Sequence, residues 1–259
     1  MRVFFLCDDE PFEIPSAVLT VMRRRPRHSY TVLSFPGHGS FSKFKTNLKR
    51  YMALYGPLGF PVRAVQFIFY KFLAALGIPT RRPHSLREAA SRAGATYLRI
   101  EKINTKRTRR ALSEMEPDVF FSIACPQILR KKTLELPKYG VYNIHTSLLP
   151  RNRGMLPSFW TLLENKGDSG VTLHKMNPKL DDGPILLQRR VPATLHKTSL
   201  HELIRKGKEV AADLICEAIE LLESGDYTLK PNPEREATMN TFPTRKDVRR
   251  FRRMGGRVW

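Results

Sequence analysis

The sequence predicts an α/β fold: a doubly wound, mostly parallel twisted sheet with helices on both faces. Three observations predict it. Short runs rich in β-branched and aromatic residues alternate with helical stretches along most of the chain. Several of those runs, such as Val119–Ala124, are apolar enough to be strands buried on both faces. The chain of 259 residues, 41% hydrophobic and 27% charged, is also large enough for one soluble α/β domain with its own core.

The elements follow in order. Met1 to Cys7 reads as a strand that ends in the acidic turn Asp8-Asp9-Glu10, and Pro15 supports a helix to about Arg25. No Gly-x-Gly-x-x-Gly occupies this first turn, so its backbone is not built to approach a pyrophosphate. The acidic turn is read as the cap of the helix, with an amine or a hydroxylated sugar as the ligand it would otherwise meet. Tyr30–Leu33 is a second strand, followed by a Gly/Ser loop over Pro36–Ser42. Ser85–Ala93 is a helix stopped by Gly94, Tyr97–Ile100 a strand, and Asn104 or Thr105 caps a helix through Met115. Val119–Ala124 and Gly140–Ile144 are buried strands; Pro150 and Gly154 then mark an irregular loop. Ser158–Glu164 is helical, with Phe159 and Trp160 expected in the core. Gly170–Lys175 and Ile185–Val191 are strands joined by the loop that carries Asp181, and Ser199 or Thr198 caps a long amphipathic helix to Leu222, with Gly225 as its stop.

One segment, about 41–84, departs from this alternation. Val62–Leu76 is apolar on every face, interrupted only by Arg63, Gln66 and Lys71, and Lys43, Lys45, Lys49, Arg50, Arg81 and Arg82 flank it. A helix apolar all round is buried or in lipid. This one is short and charged for a bilayer span. The expectation is an insertion packed on the core, with interfacial contact to an anionic membrane as the alternative.

Composition narrows the partners. Lys and Arg exceed Asp and Glu by 45 to 24, a net charge of +21, which suits nucleic acid, a phosphate-bearing substrate or acidic lipid, or a solvated basic surface. Cys7, Cys125 and Cys216 are too few and scattered for a disulfide framework and are read as buried apolar residues in a reducing cytoplasm. The N-terminal apolar run is too short for a signal peptide. His174, His196 and His201 have no partner at metal-ligand spacing, so no metal is expected. Residues 225–259, with Pro231, Pro233 and the basic run Arg245–Arg253, read as an extension that caps the core or holds a phosphorylated substrate, not as a separate domain.

The chemistry gathers at Asn143, His145 and Asp181. Residues two apart in a strand share a face, so Asn143 and His145 point the same way at a strand's carboxyl end, where open α/β sheets bind ligands. A carboxylate beside an imidazole fixes its tautomer and raises its basicity, and an Asn amide offers N–H donors to a developing oxyanion. Together these groups can run acyl transfer.

Asn143-x-His145, Ser147-Leu148-Leu149-Pro150, Arg153-Gly154 and Leu180-Asp181-x-Gly183-x-Ile185-Leu186-x-Gln188, with the upstream run Asp118–Leu129, resemble the folate-dependent formyltransferase family in order and spacing. The resemblance covers about residues 85–224 and is weak in the N-terminal third. It implies a Rossmann-like catalytic domain over 1–224, divergent at about 41–84. The activity it implies is transfer of a formyl group from 10-formyltetrahydrofolate to a primary amine. Asn143, His145 and Asp181 would be catalytic. Cys125, Pro126, Gln127, Ile128 and Leu129, with Leu180, Asp182 and Gly183, would hold the reduced folate; Asp8, Asp9, Glu10, Ser147 and Arg153 would meet the acceptor.

The expected acceptor is an amino sugar, nucleotide- or lipid-linked, because the first turn lacks a glycine phosphate loop and the 35 residues after Ser224 are too few for a tRNA-binding domain. Methionyl-tRNA is the alternative kept by the charge. A non-catalytic membrane- or RNA-associated protein on the same fold is disfavoured by the intact trio. The partners expected are therefore a phosphorylated small-molecule amine, an anionic membrane surface and a second copy of the chain, with nucleic acid disfavoured.

Overall fold

The computed structural model describes residues 1–36, 41–164 and 167–259. Five parallel strands begin the sheet: β1 (Arg2–Asp8), β2 (Ser29–Phe35), β3 (Thr96–Arg99), β4 (Val119–Ile123) and β5 (Val141–His145). A two-residue β6 (Arg153–Gly154) stands apart, and β7 (Gly170–Lys175) and β8 (Ile185–Arg190) extend the main sheet antiparallel to β5 and to each other. The order is β3-β2-β1-β4-β5-β7-β8, so the direction of winding reverses between β1 and β4. That reversal opens a crevice at the carboxyl ends of the two strands.

Alternation along β1 divides the core in two. Val3, Phe5 and Cys7 face α1 (Ile14–Arg24) and the long α7 (Leu200–Ser224), while Phe4 and Leu6 face Leu112 of α4 (Lys106–Glu114) and Leu129 on the opposite side. Helices therefore cover both faces. Cys7 and Cys216 are buried as expected, whereas Cys125 is only half-buried.

The caps follow the sequence. Ser85 accepts from Glu88 N–H at the start of α3 (Leu86–Arg92), and Ser199 accepts from Glu202 N–H at the start of α7, which ends at Gly225 in a left-handed turn (φ 73). Of the two candidates at α4, Thr105 is the cap, accepting from Thr108 N–H. Asn104 instead braces the loop after β4, donating to Ile128 O (2.8 Å) and accepting from Arg130 N–H (2.9 Å).

The segment 41–84 forms α2 (Phe41–Ala75), longer than expected and broken at Gly56, whose φ of 76 only glycine takes without strain. Pro57 restarts it in the first turn, where a missing N–H costs nothing. The core-packed insertion expected here forms only in part: Leu54 is buried in the core, whereas Leu58, Val65 and Phe72 are 85%, 65% and 58% exposed. Leu48–Ala75 contains an 18-residue window of mean hydropathy 1.2 and is long and apolar enough to cross a membrane by length and composition alone, although the break at Gly56 divides it. Most of the Gly/Ser loop expected over Pro36–Ser42, and the side chains of Lys43 and Lys45, lie outside the described residues.

The C-terminal segment is threaded into the domain. Lys230 bridges Ile185, β9 (Met239–Asn240) pairs with β6, and α8 (Arg245–Arg253) buries Val248 and Phe251. Phe251 meets Phe159 of α6 (Pro157–Glu164) at 4.9 Å between ring centres. The partner ring Phe159 is fully buried, and Trp160 donates from its indole to Thr241 O (3.0 Å).

Candidate active site

β5 places Asn143 and His145 on one face, and its antiparallel pairing with β7 sets His174 opposite Asn143 and Thr172 opposite His145. The loop between β7 and β8 then returns Asp181 over the same spot. Gly183 permits this return: a Cβ there would lie 1.7 Å from Lys175 O. Asp181 itself is left-handed (φ 49), as are Ala124 (φ 55) and Asn152 (φ 58) nearby. Non-glycine residues in this region cost about 1–3 kcal/mol each and persist where their surroundings over-determine them.

The trio expected from the sequence is one cluster. Asp181 Oδ2 lies 3.5 Å from His145 Nδ1 and accepts from Gly154 N–H at 2.8 Å. Its Oδ1 is 3.4 Å from Asn143 Nδ2 and 3.6 Å from His174 Nε2. His145 is 5% exposed and donates from Nε2 to Asn152 O at 2.7 Å. A carbonyl partner fixes the proton on Nε2, so Nδ1, facing Asp181, is the atom free to take or release one.

Burial pushes the His145 imidazole below its ordinary value, more than Asp181 and the Asn152 carbonyl lift it. Burial opposes ionisation of Asp181, yet the His174 hydrogen bond, His145 and Gly154 N–H together hold its carboxyl below the usual range. The pair is thus a carboxylate beside a largely neutral base at neutral pH.

Sequence reasoning left three contributors out of the site. His174, read as structural, is 1% exposed, sits 3.2 Å from Asn143 Nδ2, and has a buried Nδ1 with no hydrogen-bond partner. The β5–β7 register, invisible in the sequence, brings it in. Lys208, one residue past the point where Gly207 packs on Thr146, has its ammonium pushed down by burial and held up by Glu10, Cys7, Glu13 and Asp8. Asn232, in the C-terminal segment, donates to Asp181 O and Gly183 O, both at 3.0 Å, and anchors the loop.

The remaining candidates separate into bracing and open groups. Arg153, expected at the acceptor, is 4% exposed and commits its guanidinium to Asp182 (2.7 Å) and Asn232 (3.0 Å). Asp182 also accepts from Asn177 (3.1 Å), and these partners hold its carboxyl low. Ser147 is buried and donates to Arg151 O (2.8 Å). Glu10 caps α1, accepting from Phe12, Glu13 and Ile14 N–H, and Asp9 takes Lys71 Nζ at 2.7 Å. Asp8 is the acidic residue of this turn with no side-chain partner among the described residues; burial, then Glu10 and Asp9, push its carboxyl up to about 6, against the Asp9 backbone N–H and Lys71, which lower it.

The loop after β4 is held from behind. Gln127 donates to Glu101 O (2.8 Å) and accepts from Ile103 N–H (3.0 Å), and Leu129 is buried. Burial pushes the Cys125 thiol up to about 12, which leaves it unreactive. Pro126 removes one backbone donor, while the N–H groups of Gln127, Ile128 and Leu129 have no acceptor among the described residues. Ile128 and Leu180 expose 79% and 57% of their surface. The two hollows flanking cis Leu149–Pro150, of about 340 and 400 Å³, lie behind the trio and contain none of it. No group of three or more His, Cys, Asp or Glu side chains is arranged to hold a metal ion among the described residues.

Comparison with known proteins agrees with the resemblance. A methionyl-tRNA formyltransferase of Enterococcus faecalis is 33% identical over 167 residues, 64% of this chain and 53% of that protein. The chain spans about half the length of the curated relatives it matches. Two solved structures share the fold: a sugar N-formyltransferase from a Shewanella species (16% identity, 97% of this chain and 87% of that one, TM-score 0.61), and an N-formyltransferase from Helicobacter canadensis (16%, 93% and 71%, TM-score 0.59), the latter in complex with folinic acid and dTDP-3-aminofucose. The formyl transferase profile matches residues 81–219, more than half of the chain, from α3 through the trio and most of α7; the chain belongs to the formyl transferase family.

Proposed function

We propose that the protein transfers a formyl group from 10-formyltetrahydrofolate to a primary amine, the amine of an amino sugar. The observation that carries the reading is the convergence of Asn143, His145, His174 and Asp181 within 3.2–3.6 Å contacts at the carboxyl end of β5. The folate would supply the activated formyl group. The free N–H groups of Gln127–Leu129 and the exposed Ile128 and Leu180 suit a ring that has both an amide-like edge and apolar faces.

Asn143 offers its amide N–H to the carbonyl oxygen as that oxygen gains charge. As the acceptor nitrogen bonds the formyl carbon, His145 takes its proton on Nδ1, the Asp181 carboxylate steadies the resulting imidazolium, and that proton would pass to the folate nitrogen as its bond to the formyl carbon breaks. The fixed Nε2–H on Asn152 O keeps the ring from turning away. Asp8, at the winding reversal and with no side-chain partner among the described residues, is the group placed to receive a donor of the acceptor.

The amino-sugar reading draws support from two solved proteins that share the fold, one described as a sugar N-formyltransferase and one in complex with dTDP-3-aminofucose. Methionyl-tRNA is the second reading, favoured by the curated relatives and by the net charge of +21. Absorbance-monitored release of tetrahydrofolate decides between them, with nucleotide-linked amino sugars offered beside charged initiator tRNA. Turnover with a sugar supports the proposal. Turnover with tRNA alone replaces the acceptor, and folate binding without turnover on these amines points to an acceptor outside the panel, such as a lipid-linked amino sugar.

A further inference from the structure

The second half of α2, residues 57–75, is inside out. Its polar residues face the protein: the Arg63 guanidinium lies 3.1 Å over the Phe12 ring, and Lys71 Nζ bonds Asp9 Oδ2 and O, both at 2.7 Å. Phe12 also meets Phe67 and Tyr70, and Tyr70 stacks on His84 at 3.7 Å. The opposite side carries Leu58, Val62, Val65, Phe69, Phe72 and Leu76, each 53% to 85% exposed. Their spacing of four and three puts them on one side of the helix, and Ile68, 66% exposed, widens the stripe. No charged residue interrupts it.

A solvent-facing stripe of this size marks an interaction surface. Charge selects the occupant. From Phe41 to His84 the chain has eight Lys and Arg and no Asp or Glu. Arg81 and Arg82 are exposed just beyond one end of the helix, and Lys49 and Arg50 precede the other. The exposed arginines of α8 adjoin the first half of α2, where Arg252 donates to Leu54 O at 2.9 Å. A second copy with the same net charge of +21 would be repelled from this rim, whereas an acidic surface would be attracted.

We infer that this helix docks the protein on an anionic lipid surface, lying in the plane of the interface with its apolar stripe among the acyl chains. With the end of the preceding half included, Leu48–Ala75 is long and apolar enough to cross a bilayer by length and composition alone. Crossing would strip Lys71 from Asp9 and Arg63 from Phe12, and would carry both cations into hydrocarbon. Lying flat keeps those contacts and places the basic rim at headgroup level.

The test is co-sedimentation of the intact chain with vesicles of phosphatidylcholine alone and of phosphatidylcholine mixed with phosphatidylserine. Binding should be about tenfold or more stronger on the anionic vesicles, and weaken with salt. The pair Phe69→Ser and Phe72→Ser, both outside the core, should lower it about tenfold or more while thermal unfolding stays put. Sedimentation velocity without lipid gives the mass of each protein. Equal binding to both vesicles, no binding, or undiminished binding by the double variant overturns the inference. So does a dimer that the double variant dissociates, without vesicle binding by either protein.

Discussion

Replacing Asp181 by Asn keeps the shape of the site and removes one charge. In the native protein Oδ2 faces His145 Nδ1 at 3.5 Å. Two unit charges at that separation attract by about 5 kcal/mol at an effective dielectric near 20, which bounds the effect at roughly three pH units. Relaxation and the residual dipole of the new amide reduce this to about one or two. His145, already pushed down by burial, should therefore titrate lower still. The amide must also leave its oxygen on Gly154 N–H, which turns its NH₂ toward the NH₂ of Asn143 and disturbs the oxyanion donor as well. The assay is the pH titration of the imidazole C2 proton by NMR, assigned among the seven histidines by comparison with His145→Gln. It requires no knowledge of the acceptor. With an acceptor in hand, turnover should fall by about 10²-fold or more. An unchanged His145 titration, or full turnover with Asn at 181, would refute the pairing and the role assigned to it.

Three further outcomes are expected. Asp8→Asn should stabilise the protein by about 1–2 kcal/mol at pH 8. The native carboxyl, at about 6 against an ordinary 3.8, resists ionisation, so the gain should shrink as pH falls through 6 and vanish below 3.8, as urea unfolding across pH would register. Gly183→Ala should lose several kcal/mol or fail to fold, because the new methyl would sit 1.7 Å from a backbone oxygen; a melting temperature like the wild type's would mean that the loop return is not fixed there. Asn232→Ala removes both hydrogen bonds to the Asp181 loop and should cost turnover about tenfold or more with folding retained, read as kcat against circular dichroism; unaltered kcat would show that the loop holds itself.

The turn after β1 shows how far local chemistry reaches. Glu10 is a cap, as its position before Ile14 and Pro15 suggests, because a carboxylate satisfies the free N–H groups of a nearby helix start. That Asp9 is neutralised by Lys71, 62 residues on, leaving Asp8 open, depends on where α2 lies. Arg153 shows the same limit from the other side. Its charge and its place next to Gly154 mark it as a ligand for an anion, yet Asp182 and Asn232 surround it, and both are distant in sequence.

The sequence by itself determined the strands of the main sheet, the helices between them and the caps at Ser85 and Ser199, because alternation, periodicity and capping act over a few residues; α8 and the short β6–β9 pair were not legible there. It also determined that Asn143 and His145 share a face, since a strand's pleat decides that without any partner, and the spacing of the motif carried Asp181 with them. Only the tertiary structure decided the rest. Pairing of β5 with β7 brought His174 to Asn143, and the C-terminal segment supplied Asn232, each through contacts between residues far apart in the chain. The side of α2 that faces outward was likewise undetermined by composition, because a stretch apolar all round has no face of its own until Asp9 and Phe12 hold its two cations inward.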